Sequence, residues 1–305
     1  MNYEKFGNSH KISIGLPVYN GEYFLEKRLD SILSQTFSDF ELIISDNAST
    51  DLTSEICKKF VKKDNRIKYY RQVQNMGPNW NFNFVLQKSY SPYFLWVGVD
   101  DKISKYFLEK NYNILEMKPN VVGSISKIKQ ESLGNISHDK SIDQFFTKLI
   151  KNLRSVKKIG SYSIVGTYDY KIRFFLKNST AKVIYGIFRT KELKKSIVKE
   201  SFIGNDSATI LNILKFGDFY VVEDDIMYEH IEGLSSTGII NMCNLYNLQK
   251  YGYLSKIFPW YPFTFWYLQN FKMKNLDYFI QLNCEGIISL LLDSFKLLVN
   301  KISKK

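Results

Sequence analysis

The stretch that decides the fold of this 305-residue chain is FLWVGVDDKIS, residues 94–104. Phe94–Val97 is an apolar run without polar alternation, which is typical of a strand buried on both faces of a parallel sheet. Asp100 and Asp101 follow closely, and open α/β sheets bind ligands just beyond the carboxyl ends of their strands. Adjacent carboxylates repel each other unless a cation or a hydrogen-bond donor lies between them. The pair therefore indicates either a site for Mg²⁺ or Mn²⁺, which prefer oxygen ligands, or a cap of the next helix.

Strands and helices alternate upstream of this stretch. Strand patterns occupy residues 11–18, 40–45, 67–71 and 94–99, and helical patterns occupy 22–35, a segment after 51, and 79–88. Strands that alternate with helices of about ten to fifteen residues form βαβ units with a parallel sheet. Downstream, we predict strands at 121–128, 181–188 and 219–223, a basic amphipathic helix at 141–158 and a helix at 207–216. The sequence therefore predicts an α/β protein.

Composition narrows the class of protein. The hydrophobic fraction of 45% and the charged fraction of 24% are ordinary for a globular chain. A formal net charge of +12 favours anionic partners, but the lysines are dispersed and no nucleic-acid-binding motif occurs, so we expect no nucleic-acid partner. Three distant cysteines indicate a reducing compartment. Without a signal-peptide pattern or an apolar window of about 20 residues, the sequence predicts a cytoplasmic protein.

Four motifs in order carry a resemblance to a known family. They are PVYNGE at 17–22, SDNASTD at 45–51, NMGPNWN at 75–81 and the pair Asp100–Asp101, and each follows a predicted strand end. This series resembles the family 2 glycosyltransferases of the GT-A fold, inverting enzymes that take sugars from nucleotide diphosphates. The resemblance implies a GT-A-like, Rossmann-related, mostly parallel sheet flanked by helices. It covers about the first 110 residues and weakens after about residue 238.

The resemblance also implies a set of residues that bind the nucleotide sugar. Asp46 would accept a hydrogen bond from the imide N–H of uracil, and Tyr19 would stack on the base. Helix capping is the alternative role for Asp46 and for Asp51. The full expected set is Pro17, Tyr19, Asn20, Glu22, Asp46, Asn75, Gly77, Asn81 and Asp100.

A metal site is the second implication. Mn²⁺ or Mg²⁺ would be held by Asp100, Asp101 and His230, although a lone histidine often has a structural role. The family's fullest acidic motif is Asp-any-Asp, and this chain has Gly98-Val99-Asp100 in that register. The missing first acid predicts weaker metal binding.

The third implication is a general base. Asp206 ends the sequence FIGND and precedes a helical run, where related enzymes carry the carboxylate that deprotonates the acceptor. N-capping of that helix is the alternative role. Residues 185–189, YGIFR, resemble a segment near the sugar and acceptor, and residues 233–236 resemble a loop that covers the donor.

The C-terminal region lies beyond the resemblance. Residues 258–271 hold eight aromatics, and residues 287–302 form an apolar helical stripe beside a basic end. The region could close the core, contact a membrane surface, or do both. We expect a GT-A domain at 1–238, with a nucleotide-binding half at about 10–110 and a catalytic half at 111–238, and a helical extension at 239–305.

The predicted function follows from these expectations. The protein would transfer a sugar, from a UDP-sugar in the first instance, to a glycan or lipid-linked acceptor during synthesis of a bacterial-type cell-surface polysaccharide. It would act at the inner face of the plasma membrane, bound to the anionic surface, and oligomer formation is left open. The alternative is a non-catalytic scaffold of the same fold that binds nucleotide sugars.

Overall fold

The computed structural model describes residues 10–131, 160–230, 238–246, 248–271 and 274–302. The predicted helix at 141–158 and the predicted covering loop at 233–236 lie outside these residues.

The first half of the chain alternates strands and helices as its sequence pattern predicts. Its elements are β1 (Ile12–Val18), α1 (Glu22–Leu33), β2 (Phe40–Asp46), α2 (Thr53–Val61), β3 (Ile67–Arg71), α3 (Pro78–Gln87), β4 (Tyr93–Trp96), β5 (Lys102–Ile103) and α4 (Phe107–Met117). Every residue of β1, β2 and β4 is buried, because helices cover both faces of these strands. The unalternating apolar pattern of the strands is thereby explained.

The second half continues the same layers and adds a helical C-terminal region. Its elements are β6 (Val121–Glu131), α5 (Tyr168–Asn178), a 3₁₀ turn (Ala181–Tyr185), β7 (Ile187–Arg189), α6 (Thr190–Ser196), α7 (Asn205–Ile213), β8 (Asp218–His230), α8 (Ile239–Leu245), a second 3₁₀ turn (Leu248–Tyr251), α9 (Tyr253–Ile257), α10 (Tyr261–Phe271) and α11 (Leu276–Ile302).

One eight-stranded sheet organises these elements in the order β3-β2-β1-β4-β7-β6-β8-β5. The strands β3, β2, β1 and β4 are parallel, as are β6 and β8, whereas β7 is antiparallel to β4 and β6, and β5 to β8. Val18 pairs with Asp46 at the carboxyl ends of β1 and β2, and Gly15 pairs with Trp96. The three loops that carry the predicted donor motifs therefore leave the sheet at one edge.

Two strand predictions in the second half were inaccurate for local reasons. Residues 181–188 are mostly a 3₁₀ turn, whose start is capped by the Thr180 hydroxyl accepting from the Lys182 N–H at 3.3 Å. The last strand does not end at residue 223 but runs to His230. Its register against β6 shifts between Val222 and Ile226, so the charged run between them is a bulge, which the sequence pattern presents as a strand end.

The aromatic C-terminal helices pack against the segment before α7. Phe263 and Tyr267 of α10 are buried, and the Phe263 ring lies 6.3 Å from Phe202 and 5.3 Å from Phe279. Gly204 lies at this contact with φ +93°, and a Cβ there would be 3.0 Å from the Phe263 ring. No helix in the described ranges is both long enough and apolar enough to cross a membrane.

Candidate active site

Hydrogen bonds join the loops that follow β1 and β2. The Asn20 N–H donates to the Ser49 hydroxyl at 2.9 Å, and Asn20 Oδ1 accepts from the Thr50 N–H. The Glu22 N–H donates to Asp51 Oδ2 at 3.0 Å, while Glu22 Oε2 accepts from the Leu52 N–H at 2.9 Å. These reciprocal bonds fix the two loops against each other.

The same bonds bear on the predicted roles of Asn20, Glu22 and Asp51. Asn20 and Glu22 use their side chains to hold the loop between β2 and α2. Asp51 also accepts from the Thr53 N–H at 3.0 Å, which is the helix-start role weighed as its alternative. The prediction that Asn20 and Glu22 contact the nucleotide sugar stays a prediction.

Asp46 lies at the end of β2 and is fully buried. Its Oδ1 accepts from the Ser49 N–H at 2.8 Å, and its Oδ2 accepts from the Tyr69 hydroxyl at 2.8 Å. Arg71, at the end of β3, has Nε 3.8 Å from Oδ2 and donates to the Ser49 carbonyl at 2.9 Å. Arg71 was not predicted to act at the site, although its sequence position, a cation at a strand end before a motif predicted to bind the nucleotide sugar, could have indicated this. An imide contact to Asp46 stays a prediction.

The loop between β3 and α3 is held by Asn47, another residue that sequence reasoning missed. Asn47 Nδ2 donates to Asn75 Oδ1 at 2.8 Å, and Asn47 Oδ1 accepts from the Met76 N–H at 2.9 Å. Asn75 Oδ1 also accepts from the Gly77 N–H, and Gly77 has φ +84°, which favours glycine. The loop that was expected to border the nucleotide is therefore attached to the end of β2.

Of the other residues predicted to bind the nucleotide sugar, Asn81 is buried in the protein and Tyr19 is accessible to solvent. Asn81 is buried at the start of α3, where its Oδ1 accepts from the Ser45 hydroxyl and its Nδ2 donates to the Ser45 carbonyl at 2.9 Å. Pro17 is buried within β1 opposite Ser45. Tyr19 is 48% exposed at the strand end, so its ring is free to meet a planar ligand.

The acid pair folds back over Gly98. A Cβ placed on Gly98 would lie 2.7 Å from Asp101 Oδ2 and 3.1 Å from Asp100 Oδ1. The space that a first acid at position 98 would need is thus taken by the two carboxylates that are present. Asp101 is buried and Asp100 is half-buried.

Arg28 supplies a positive charge near this pair. It lies on the buried face of α1 with Leu25 and Ile32, is only 6% exposed, and donates from Nε to the Val99 carbonyl at 3.4 Å. Burial lowers the pKa of Arg28 to about 10, and the charges of Asp101 and Asp100 oppose that fall. Arg28 was not predicted to act at the site, although an arginine on an otherwise apolar helix face could have indicated a buried charge.

Asp206 and the acid pair both influence the side chain of Tyr185. Burial raises the pKa of Tyr185 well above its ordinary value. Three carboxylates add to that rise, those of Asp101, Asp100 and Asp206. Tyr185 ends the 3₁₀ turn. Asp100 and Asp101 lie in the loop between β4 and β5, and Asp206 lies in α7, about 100 residues further along the chain. The charges of the predicted base and of the two predicted metal ligands therefore act on one tyrosine.

The Asp206 carboxylate has an environment of its own at the start of α7. Its Oδ1 accepts from the Ser207 N–H at 2.7 Å. Burial raises its pKa, while that N–H and the Lys182 ammonium lower it. Lys182 was not predicted to act at the site. Gly204, not Asp206, occupies the N-cap position of α7, and no side-chain hydrogen bond caps the start of this helix.

His230 ends β8, and its side chain lies outside the described part of the chain. Its strand pairs with β5, with Lys102 opposite Tyr228 in antiparallel register. Because the two strands are antiparallel, the backbone of residue 230 continues towards the residues that precede Lys102, which include Asp100 and Asp101. Among the described residues, no group of three or more His, Cys, Asp or Glu side chains forms a metal cluster. His230 as a ligand stays a prediction.

A mixed, mostly parallel sheet flanked by helices, with a carboxylate pair just after β4, is the architecture of a GT-A-like glycosyltransferase fold. Residues 13–179 match the model of glycosyl transferase family 2, more than half of the chain. The chain belongs to that family, as the motif series predicted.

Two curated relatives are glycosyltransferases of bacteria. Glycosyltransferase GlyA of Streptococcus pneumoniae is 31% identical over 176 residues, 54% of this chain and 25% of the relative. A GalNAc(5)-diNAcBac-PP-undecaprenol beta-1,3-glucosyltransferase of Campylobacter jejuni is 25% identical over 69% of this chain and 62% of the relative. The chain therefore spans less than two thirds of either relative.

A solved structure confirms the predicted fold. Staphylococcus aureus TarS 1–349, in complex with UDP-GlcNAc, superposes with a TM-score of 0.55 at 21% identity. The match covers 77% of this chain and 64% of that one. The GT-A-like sheet with its flanking helices is thus as expected, and the helical aromatic-rich C-terminal region is present.

Proposed function

We propose that this chain is an inverting glycosyltransferase that moves a sugar from a UDP-sugar to a glycan or lipid-linked acceptor. The observation that carries the proposal is the convergence of the Asp100 and Asp101 carboxylates over Gly98, just beyond the strand ends from which the loops after β1 and β2 leave the sheet. The acid pair would lie at the departing diphosphate, and Asp206 would lie at the attacking hydroxyl. The names of the two curated relatives and the UDP-GlcNAc in the TarS structure support this choice of donor and acceptor.

Inversion requires a single carboxylate that removes the acceptor's proton while its oxygen attacks the anomeric carbon from the face opposite the leaving group. Asp206 has the chemistry for that step, because burial raises its pKa and makes the ionised carboxylate a stronger base. The Ser207 N–H and the Lys182 ammonium oppose this rise in the pKa of Asp206. The bond from the anomeric carbon to the diphosphate breaks, and the proton passes to Asp206.

Nucleotide binding is assigned to the edge formed by β1, β2 and β3. The exposed Tyr19 ring would pack on the base, and Arg71 would contribute a positive charge beside Asp46. The hydrogen bonds that Asn20, Glu22 and Asn75 make to neighbouring loops would hold this surface in shape before the donor arrives. Preformed sites of this kind avoid the entropy cost of ordering loops on binding.

The acid pair fits a divalent cation of the magnesium or manganese type. Such ions bind through one or two carboxylates and complete their coordination with substrate phosphates, and the two converging carboxylates over Gly98 match that requirement. Asp100 and Asp101 would hold the ion, with His230 as the third expected ligand. When bound, the ion would neutralise negative charge on the diphosphate. Arg28 would keep the pair compact beforehand.

Thermal stabilisation by a panel of nucleotide sugars with Mn²⁺, followed by measurement of nucleoside diphosphate release, tests this proposal. We expect one UDP-sugar to raise the melting temperature most and to be turned over, with transfer once an acceptor is supplied. Binding without any release of UDP would favour the non-catalytic scaffold. No stabilisation by any nucleotide sugar would contradict both.

We also propose that the protein works at the cytoplasmic face of a membrane through α11. One face of that helix leaves Leu291, Phe295 and Leu298 each more than half exposed, at helical spacing, and Lys296 and Lys301 lie on the same helix. Exposed apolar residues beside lysines favour the headgroup zone of an anionic bilayer. Each lysine near such a surface contributes about 1 kcal/mol.

Co-sedimentation with liposomes that contain anionic lipid tests the membrane proposal. Binding should weaken with salt without vanishing, because salt screens the lysines but not the apolar contact. The double variant L291Q/L298Q should lose most of it, whereas V73Q/M117Q, which replaces exposed apolar residues elsewhere, should not. A full-length protein that ignores these liposomes at low salt would contradict the proposal.

A further inference from the structure

A groove with a volume of about 770 Å³ opens beside the candidate active site. It lies between the start of α3, the segment that follows α6, and the residues after α8. Fifteen residues line it, and three of them are lysines: Lys194, Lys199 and Lys250. None of the described residues that line it is acidic. A cavity with three positive charges and no carboxylate selects for an anion.

The lysines differ in how they are held. Lys194 donates to the Ser89 carbonyl at 2.7 Å, which fixes its ammonium group at the groove wall. Lys199 and Lys250 are exposed, and within the described part of the chain no ion pair joins either of them to a carboxylate. Their charges are therefore available to a ligand. Lysine ammonium groups bind phosphate oxygens as point charges.

Aromatic rings form the other part of the wall. Trp80 and Phe84 stack with ring centroids 5.1 Å apart, and Trp80 remains 36% exposed. The apolar face of a sugar ring packs against a surface of this type, while its hydroxyls stay with polar neighbours. The groove thus offers a flat aromatic surface and an anion site side by side.

A hydrogen bond connects the groove to the segment that carries Asp206. Asn79 lines the groove, and its Oδ1 accepts from Asn205 Nδ2 at 2.7 Å, in the residue just before Asp206. Tyr246 also lines the groove; burial raises its pKa, and the charge of Asp206 raises it further. The end of the groove is therefore adjacent to the proposed base.

We infer that this groove binds the acceptor, and that the acceptor is a sugar or polyol carrying a phosphodiester or pyrophosphate. The inference rests on the proposed function and adds to it the charge of the acceptor. The phosphate would lie at Lys199 and Lys250, and the ring would lie on Trp80. The acceptor hydroxyl would reach Asp206, form the new bond to the anomeric carbon and give up its proton, while the nucleoside diphosphate leaves with the electron pair of the broken bond.

Trp80 provides a local probe of this groove. The chain has four tryptophans, so 5-fluorotryptophan labelling gives four ¹⁹F resonances, and W80F identifies the one from Trp80. UDP and Mg²⁺ are kept in excess in every sample, because paramagnetic Mn²⁺ would broaden the ¹⁹F resonances. We expect glucose 1-phosphate to shift the Trp80 resonance with an affinity at least about 10-fold above that of methyl glucoside, and the difference should shrink with salt.

Charge reversal tests the anion site. K199E/K250E should weaken the response to glucose 1-phosphate about 30-fold or more, because two attractive charges become repulsive. K191E/K215E makes the same change in net charge at exposed lysines outside the groove lining, and it should bind as the wild type does. Equal affinity for the neutral glucoside and the sugar phosphate, or an unchanged response of K199E/K250E, would overturn the inference.

The source of the phosphate is settled by comparing two transfer reactions. A glycerol phosphate oligomer and a sugar linked to a short prenyl diphosphate are offered as acceptors with the donor that the panel selects. Transfer to either supports the inference, and it should fall in K199E/K250E through a higher KM. Transfer to neutral sugars only would overturn it. If no donor is turned over but Trp80 still responds to the sugar phosphate, the proposed function fails while the anion site stands.

Discussion

Replacing Arg28 with methionine tests whether a buried cation holds the acid pair together. Methionine keeps most of the side-chain volume but removes the buried positive charge that α1 places near Asp100 and Asp101. Removal of one partner from a buried ionic group costs about 3–5 kcal/mol, because it leaves the other charge uncompensated. Asp100 is half-buried and water screens it, so we expect the lower value, about 3 kcal/mol.

A loss of about 3 kcal/mol should lower the melting temperature by about 6 °C, at about 2 °C per kcal/mol for a chain of this size. The measurement is thermal unfolding of wild type and R28M, each with EDTA and with Mn²⁺. Because a bound cation would restore the missing positive charge, Mn²⁺ should stabilise R28M more than wild type. R66M is the matched control, since it breaks a partly exposed pair with Asp64 and should show no such metal effect.

Two results would refute this reasoning. If R28M unfolds at the wild-type temperature in EDTA, the arginine does not compensate the acids. If Mn²⁺ raises the melting temperatures of R28M and R66M by the same amount, the cation does not bind where Arg28 acts.

Three further variants address the site. D206N should reduce turnover about 10²–10⁴-fold with donor binding unchanged, and near-normal turnover would assign the deprotonation to another residue. It should also unfold at a higher temperature at neutral pH, because burial raises the pKa of Asp206 and so opposes its ionised form in the folded protein. D100N should bind UDP equally in Mn²⁺ and EDTA, whereas wild type should prefer Mn²⁺ in calorimetry; a wild type indifferent to metal would contradict the metal site. K182M should move the acid limb of the kcat/KM profile to higher pH, because loss of the ammonium raises the pKa of Asp206; a limb that stays in place would exclude that coupling.

The sequence predicted the first half of the fold well because burial and strand ends are local properties. The uninterrupted apolar runs of β1, β2 and β4 identify strands buried on both faces, and the motifs stand where those strands end. The bulge in β8 escaped prediction for the opposite reason. Its charged residues resemble a loop, and only pairing with β6 continues the strand beyond them.

The sequence predicts where the acids of the candidate site lie along the chain, but not which residues surround them. Asp46, Asp100 and Asp206 follow strand ends or open helices, so their places can be predicted along the chain. The roles of Arg28 and Asn47 depend on contacts with residues about 70 and 28 positions away, in loops whose approach no local pattern encodes. The influence of the acids on Tyr185 has the same origin, since β7 brings the 3₁₀ turn beside β4.

The contact at Gly204 limits how this protein could be recombined with its relatives. Phe263 packs against the glycine's backbone and the Phe202 ring, so the last two helices and the segment before Asp206 share one complementary surface. A chimera that exchanges α10 and α11 alone would place an unmatched side chain against this backbone and displace the turn that carries Asp206. Exchange of the C-terminal helices between family members would therefore need residues 202–204 to move together with them.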